Sequence, residues 1–471
     1  MKNYKVFFGL FVAFYITGCM PVMPTASVFV KDSSDAGLLI QNVTVLDVKT
    51  LSKLPNRDVL IRAGQVSAIS LSGKIVSTSD MQIIDGTGAT LLPGLIDMHG
   101  HITTTTGPSW EFSLPDAQGN LLSYLYAGVT TIFDPSDSSD EAYERRQKVA
   151  DGELLGPRIY TTGRIITHPE GHPRSLIATL APWWIRWYLK PKVGAGVTTP
   201  EEAIKEVNVR ADADADAIKI VIDQIPLDAP LLTDQISKAI VEQARKRGIR
   251  AVAHIGTTAD AIAAAEAGVA LWVHGVYKER IPDDKIAQLV SYKIPMVSTS
   301  EVFDRYGRAM VGPIEPSKLE LEIVPTETLD AFYPVPEDFD PGPLTSWIEL
   351  MQKTSGIRRD NVSRLHAAGM TILAGSDVQS GVFPGASLHR ELQTLVAAGL
   401  TPSEAIRAAT FFPARYLAKT ETPEFGLVEV GKRADLLLVN GDPTQDISAL
   451  ADIREVLLGG RLLQRQAVRN P

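Results

Sequence analysis

One short unit, repeated along the chain, restricts the available folds more than any other feature. At Ala127-Gly128-Val129-Thr130-Thr131-Ile132-Phe133 a helix-type stretch halts at a glycine and an apolar, strand-type run follows at once. The same form recurs from Arg247-Gly248 to His254, from Ala267-Gly268 to His274, and from Ala368-Gly369 to Asp377. Glycine readily takes the left-handed position past a helix end, so each copy reads as a helix-to-strand junction. Further strand-type runs occupy residues 91–101, 158–167, 217–223 and 294–300, making eight in all. The clearest intervening helix covers 259–267, with Thr257 or Thr258 as its cap. Near-continuous apolar strands alternating with helices imply a parallel sheet covered by helices. Eight such units fit a closed (β/α)8 barrel, and an open doubly wound sheet satisfies the same pattern.

The flanks differ from this middle. Short β-type runs at 38–40, 43–46, 59–61 and 66–69 follow one another, with turn signals at Pro55-Asn56 and Ala63-Gly64-Gln65. Near the other end, 434–439 is a strand candidate and 456–463 reads as a hairpin turning at Gly459-Gly460. The two β-rich ends are expected to pair. Ahead of them, Lys2 and Lys5 precede an apolar run over 6–16 and then Thr17-Gly18-Cys19, the layout of an export signal. The run is shorter than the roughly 20 apolar residues of a membrane span. Ile16-Thr17-Gly18-Cys19 resembles the bacterial lipobox, which implies cleavage before Cys19, a lipid on its thiol, and a lipid-anchored protein of the bacterial cell envelope, periplasmic or at the outer membrane. Cys19 is the only cysteine, so no disulfide scaffold is available. The expected organisation is a leader over 1–18, a tether over 19–36, a β domain from 37–92 and 424–471, and a barrel over 93–423.

Composition settles two points. With 45% hydrophobic and 21% charged residues the chain can bury a large core and is not disordered. With a formal charge of −9 and no basic cluster, nucleic-acid binding is not expected.

The chemistry gathers at strand ends. His99-Gly100-His101 closes the first strand, Lys219 lies in the fourth, His254 ends the fifth, His274 the sixth and Asp377 the eighth. Functional sites of barrels form at the carboxyl ends of the strands, so these distant positions can converge. Residues two apart on an extended chain point to one side, which lets His99 and His101 share a cation. Neutral imidazoles with a carboxylate suit zinc or another divalent first-row ion better than magnesium or calcium.

On these residues the chain resembles the amidohydrolase superfamily. Leu92-Pro93-Gly94-Leu95-Ile96-Asp97-Met98-His99-Gly100-His101 is similar to its first-strand signature, and Leu400-Thr401-Pro402-Ser403-Glu404-Ala405, Ala408-Ala409-Thr410 and Gly431-Lys432-Arg433-Ala434-Asp435-Leu436 are similar to its closing segment. The resemblance implies a distorted (β/α)8 TIM barrel with a small β-sandwich built from both chain ends. It also implies two divalent metal ions, with zinc the expected metal: His99, His101 and Asp377 on the first, His254 and His274 on the second, and a carboxylated Lys219 bridging them. A mononuclear site with an unmodified Lys219 paired to an acid is the alternative. Asp377 would move the proton in hydrolysis of an amide.

For the substrate, the resemblance to prolidase-like members points to a histidine after the third strand, His172 first and His168 second. Tyr277 and Arg280 are candidates to grip a substrate carboxylate, since guanidinium matches that group bidentately. The expected substrate is a dipeptide or an N-acyl amino acid. A lactonase, esterase or xenobiotic amidase with the same metals is the rival enzyme, and a non-catalytic binding lipoprotein the rival of another class. An oligomer is compatible with either. Trp183-Trp184-Ile185-Arg186-Trp187-Tyr188 reads as a lid, a membrane contact or an apolar helix face, and residues 301–343 are long for a βα connection, as loops over active sites often are.

Overall fold

The structure is a computed structural model that describes residues 26–31, 36–111, 113–138, 141–177, 181, 183–309 and 312–468. The leader and Cys19 lie outside the described residues.

Eight parallel strand segments close into a barrel. In order they are Leu95–Asp97, Val129–Asp134, Arg158–Thr161, Ala217–Val221, Arg250–His254, a single bridged position at Trp272, Met296–Val297 and Ile372–Leu373. Trp272 bridges in parallel to Ala253 on one side and Met296 on the other. The third and fourth strands meet where Asp216 N donates to Thr161 O, 3.0 Å away. Met98 N donates to Ala374 O at 3.0 Å, which joins the eighth strand to the first and excludes the open sheet. Ile96, Met98, Phe133, Val252, Val273, Val297 and Leu373 fill the barrel interior. A larger apolar layer, with Ile218, Ile220, Ile240 and Leu392 among its members, lies between strands and helices.

Two expected strands are divided. The run 91–101 breaks at Gly94: Ala89–Pro93 belongs to the terminal sheet and Leu95–Asp97 to the barrel. A Cβ at Gly94 would stand 2.3 Å from Thr130 Oγ1, so only glycine lets the chain cross between the layers there. The run 158–167 breaks around Gly163, which has a positive φ of 62° and separates Arg158–Thr161 from Ile166–Thr167. The helix expected at 259–267 spans Thr258–Ala267; Thr257 caps it, with Asp260 completing a capping box.

The chain ends build one nine-stranded sheet. Ser27–Val30, Arg461–Gln466, Ile453–Leu458, Leu436–Asn440, Ala89–Pro93, Leu38–Asp47, Ser52–Arg62 and Gln65–Leu71 lie side by side, and Gln82–Asp85 pairs with Leu38–Asp47. The sheet curls round its own core until Val66 N reaches Lys432 O, just before Leu436–Asn440. The Gly459-Gly460 hairpin forms, with both glycines at positive φ. Pro55-Asn56 does not turn the chain: both residues sit inside Ser52–Arg62, opposite a register shift between Val43 and Val45 that absorbs the irregularity as a bulge.

Candidate metal centre

Five of the eight histidines gather at the carboxyl end of the barrel. Ring centroids are 5.0 Å apart for His99 and His101, 4.4 Å for His99 and His274, 3.9 Å for His254 and His274, and 5.0 Å for His172 and His254. Ligand atoms of His99, His101 and Asp377 all lie within 4.8 Å of one another. His101 Nε2 is 3.0 Å and His99 Nε2 3.5 Å from Asp377 Oδ1, and His274 Nδ1 is 3.9 Å from Asp377 Oδ2. Asp377 sits at a positive φ of 55°, and its N donates to His99 O at 2.6 Å. That bond ties the eighth strand's carboxylate to the first strand's imidazoles.

Each of the four strand-end imidazoles has one nitrogen held from behind. His99 Nδ1 pairs with Val273 O at 2.6 Å, His101 Nδ1 with Asp134 Oδ1 at 3.3 Å, His254 Nε2 with Asp223 Oδ2 at 2.9 Å and His274 Nδ1 with Thr299 Oγ1 at 2.8 Å. Such partners fix ring orientation and leave the second nitrogen to serve as a ligand. Asp223 also accepts from Tyr277 Oη and Lys278 Nζ. Asp97 bridges strands one and eight, its Oδ1 accepting from His99 N and Ser376 N, each at 3.0 Å.

Burial governs the charges. It lowers the His99, His172 and His274 rings well below the usual imidazole range and lowers His254 less, so these rings are held neutral. His101 is the exception: burial opposes its charge, but Asp134 and Asp377 overcome that and push it up to about 9. Burial alone would raise the Asp377 carboxyl, and His99, His101 and Lys219 more than reverse this. Lys219 is 2% exposed and burial brings it down to about 8. Its Nζ lies 3.3 Å from His99 Nε2 and makes no ion pair among the described residues.

These residues fit divalent metals. The imidazoles that burial holds neutral, together with His101 and one carboxylate, form a nitrogen-and-oxygen donor set suited to a first-row ion, whose binding would displace the proton of His101 Nε2. A buried lysine with no carboxylate in ion-pair contact among the described residues matches a side chain that carboxylation would convert into an anionic ligand.

The other expected residues divide. His172 lines the cavity over the cluster, with a buried Nδ1 that has no hydrogen-bond partner. His168 does not line it: its Nδ1 accepts from Glu170 N at 3.1 Å and closes its own turn. Tyr277 is buried behind His254, stacked on Phe303 at 3.7 Å and donating to Asp223, so it supports the site from below. Arg280 does not reach the cavity; its side chain is half exposed and pairs with Asp283 at 3.0 Å and Asp360 at 3.3 Å. The backing residues Asp134, Asp223 and Thr299 were not anticipated. The signal was nonetheless present for the acids, which end or follow strand runs as the ligand-type residues do.

The cavity holds about 220 Å³, and its walls include the apolar Ile225, Phe303, Leu344 and Trp347 and the polar Thr103, Thr104 and Ser138. Its described lining includes no arginine, and its one lysine is Lys219.

Comparison with known proteins places this arrangement. Residues 90–463 match the amidohydrolase family. The ochratoxinase of Aspergillus niger is 25% identical over 409 residues, covering 79% of this chain and 75% of the relative. The crystal structure of a Xaa-Pro dipeptidase with methionine in its active site superposes with a TM-score of 0.72 at 22% identity, covering 90% of this chain and 99% of the other. A molinate hydrolase structure gives 0.69 at 18% identity, covering 92% and 95%. At those identities the structural likenesses speak for the fold, a distorted TIM barrel. The family match extends over most of the chain and takes in every strand end described above, so the chain belongs to the amidohydrolase family and is a hydrolase of carbon–nitrogen bonds.

Proposed function

We propose that the chain hydrolyses an amide bond of a small substrate with two divalent metal ions, zinc being the donor set's best match. His99, His101 and Asp377 would hold one ion, His254 and His274 the other, with a carboxylated Lys219 between them. The observation that carries this reading is the convergence of four backed imidazoles, one carboxylate and an unpaired buried lysine on the carboxyl end of one barrel. When bound, such ions supply an acidified water and polarise the scissile carbonyl.

The chain's own groups do the rest. Asp377 accepts the proton of the attacking water and returns it to the leaving nitrogen, held in place by its own backbone N–H on His99 O and by Gln379 Nε2, 3.3 Å from Oδ2. The unpartnered His172 Nδ1 supports a place for that ring beside the substrate carbonyl. The apolar walls exclude water from the developing charge. A dipeptide or N-acyl amino acid remains in the proposed class, although Arg280, its expected carboxylate grip, lies outside the cavity.

The test is turnover by the zinc-loaded full chain against dipeptides, N-acyl amino acids and uncharged amides, with esters and lactones alongside. Amide cleavage that falls at least ~100-fold in Asp377→Asn is expected, the size of a lost general acid–base. Full activity in Asp377→Asn contradicts the assignment, cleavage confined to esters or lactones favours the rival enzyme, and binding without turnover under any metal favours a non-catalytic protein.

We also propose that the chain is anchored to a bacterial envelope membrane through a lipid on Cys19, a reading supported by the lipobox-like Ile16-Thr17-Gly18-Cys19. Labelled fatty acid should enter the wild-type protein and not Cys19→Ala, which should leave the membrane fraction; equal labelling of both refutes it.

A further inference from the structure

We propose that a second chamber beside the metal-site cavity, walled by Trp110, Tyr306, Phe332 and Phe383, receives an uncharged aromatic group of the substrate. The inference rests on the hydrolase reading and narrows it to neutral amides carrying an aryl or similarly bulky apolar group.

The chamber holds about 230 Å³ and shares Ser109 and Tyr306 with the cavity over the histidines. An apolar cavity of about 150 Å³ is enough for benzene, so an aryl ring fits. Three segments build it: the loop after the first strand, the long excursion after the seventh, and the loop after the eighth. They are pinned together. Trp110 Nε1 donates to Ala331 O at 3.2 Å, Ser109 Oγ meets Ser380 Oγ at 3.2 Å, and Gly381 N donates to Thr106 O at 3.0 Å. Trp110 stands edge-on to Phe332 and Phe339, with centroids 6.3 and 5.1 Å away, and Phe332 edge-on to Phe383 at 6.1 Å. Such edge geometry leaves aromatic faces and edges free for another ring. Gly381, at a φ of +74°, keeps the wall open: a Cβ there would lie 3.2 Å from Phe332.

Charge excludes an anion from the chamber. Its one arginine, Arg305, is already paired with Glu320 and lies 3.5 Å from Glu301, and Arg390 is paired with Glu320 as well. Glu315 and Asp330 stand at the exposed rim, so a substrate carboxylate would meet repulsion and no free cation. Tyr306 connects the two spaces: it lines both, and its hydroxyl donates to Gln379 Oε1 at 2.7 Å, whose amide approaches Asp377. A ring seated against Tyr306 is therefore linked to Asp377 through Tyr306 and Gln379, which bound the passage between the two spaces.

The experiment compares kcat/KM of the zinc-loaded full chain on N-benzylacetamide, N-methylbenzamide and N-methylacetamide, in wild type, Leu329→Trp, which fills the chamber, and Phe332→Leu, which thins its wall. Binding of N-benzylacetamide to the metal-free chain is measured by equilibrium dialysis in parallel. The aromatic amides should exceed N-methylacetamide by at least about tenfold, and Leu329→Trp should erase most of that ratio, which a general folding defect would not. If amides are cleaved with a ratio near one that neither variant alters, the chamber assignment is overturned and the hydrolase reading stands. If no amide is cleaved but Leu329→Trp abolishes binding of N-benzylacetamide, the hydrolase reading falls and the chamber stands as a binding site. Absence of both turnover and binding overturns the two together.

Discussion

At the scale of single residues, the site works through atoms one step behind the candidate ligands. Asp223 holds His254 Nε2 while also neutralising Lys278, and loss of such a partner typically weakens metal binding about 10- to 100-fold. Asp223→Asn should show that drop in metal affinity by competition with a chromophoric chelator; unchanged affinity would mean that His254 needs no orientation. Glu391 makes a second prediction. Its carboxyl is buried, and burial pushes it from the ordinary 4.5 up to about 7 despite hydrogen bonds from Ser298 and from the backbone N–H groups of Ser300 and Glu301. An acid raised in the folded state is stable while protonated. Its contribution is therefore fully present below about 4.5 and is lost as pH climbs to about 7, a swing of about 3 kcal/mol. Thermal unfolding of Glu391→Gln should lose that slope between about pH 4.5 and pH 7, whereas a parallel slope would place the titration elsewhere. Strand-end histidines were readable from the sequence because each follows an apolar run. Asp134 and Asp223 carry the same signal without a motif to set them apart. Arg280 was misread because adjacency to His274 in sequence says nothing of which way a loop residue leaves the barrel, and here it turns outward to Asp283 and Asp360.

At the scale of elements, the barrel strands are shorter than the apolar runs that announce them. Met296–Val297 and Ile372–Leu373 are paired over two residues each, within runs that stay buried for several more. Apolar pattern reports burial, and burial outlasts the ladder where strands flare toward the site; hence the existence and order of the units were legible and their ends were not. The break at Gly94 was hidden for a similar reason. Leu91 and Ile96 are both fully buried, one in the terminal sheet and one in the barrel, so the sequence runs apolar straight through the crossing. Close packing of strands makes Gly375 a sharp test. A Cβ there would stand 2.6 Å from Val297 Cγ1 and 2.8 Å from His99 Cβ and N, pressing on the first strand at the candidate ligand. Gly375→Ala should lower stability by about 1–3 kcal/mol through overpacking and reduce metal content with it, read by denaturant unfolding and elemental analysis. Wild-type values for both would show that the strand relaxes freely.

At the scale of the whole molecule, closure does the organising. Residues separated by 278 positions, His99 and Asp377, become hydrogen-bonded neighbours because the eighth strand returns to the first. The chain ends meet in the same way on the nine-stranded sheet, where Ala89–Pro93 lies between Leu436–Asn440 and Leu38–Asp47. The sequence pattern reached this architecture through its repeated junctions and strand-end histidines. The chamber under the excursion after strand seven was beyond it, since no periodicity says which loop aromatics will meet. The central proposal is that the barrel mouth holds two ions with Lys219 between them. Elemental analysis of the full chain purified without chelator tests it most directly. About two transition-metal ions per chain are expected, falling to one or fewer in Lys219→Ala and in His254→Ala; a chain free of transition metal, or one whose content neither substitution changes, would refute the two-ion site.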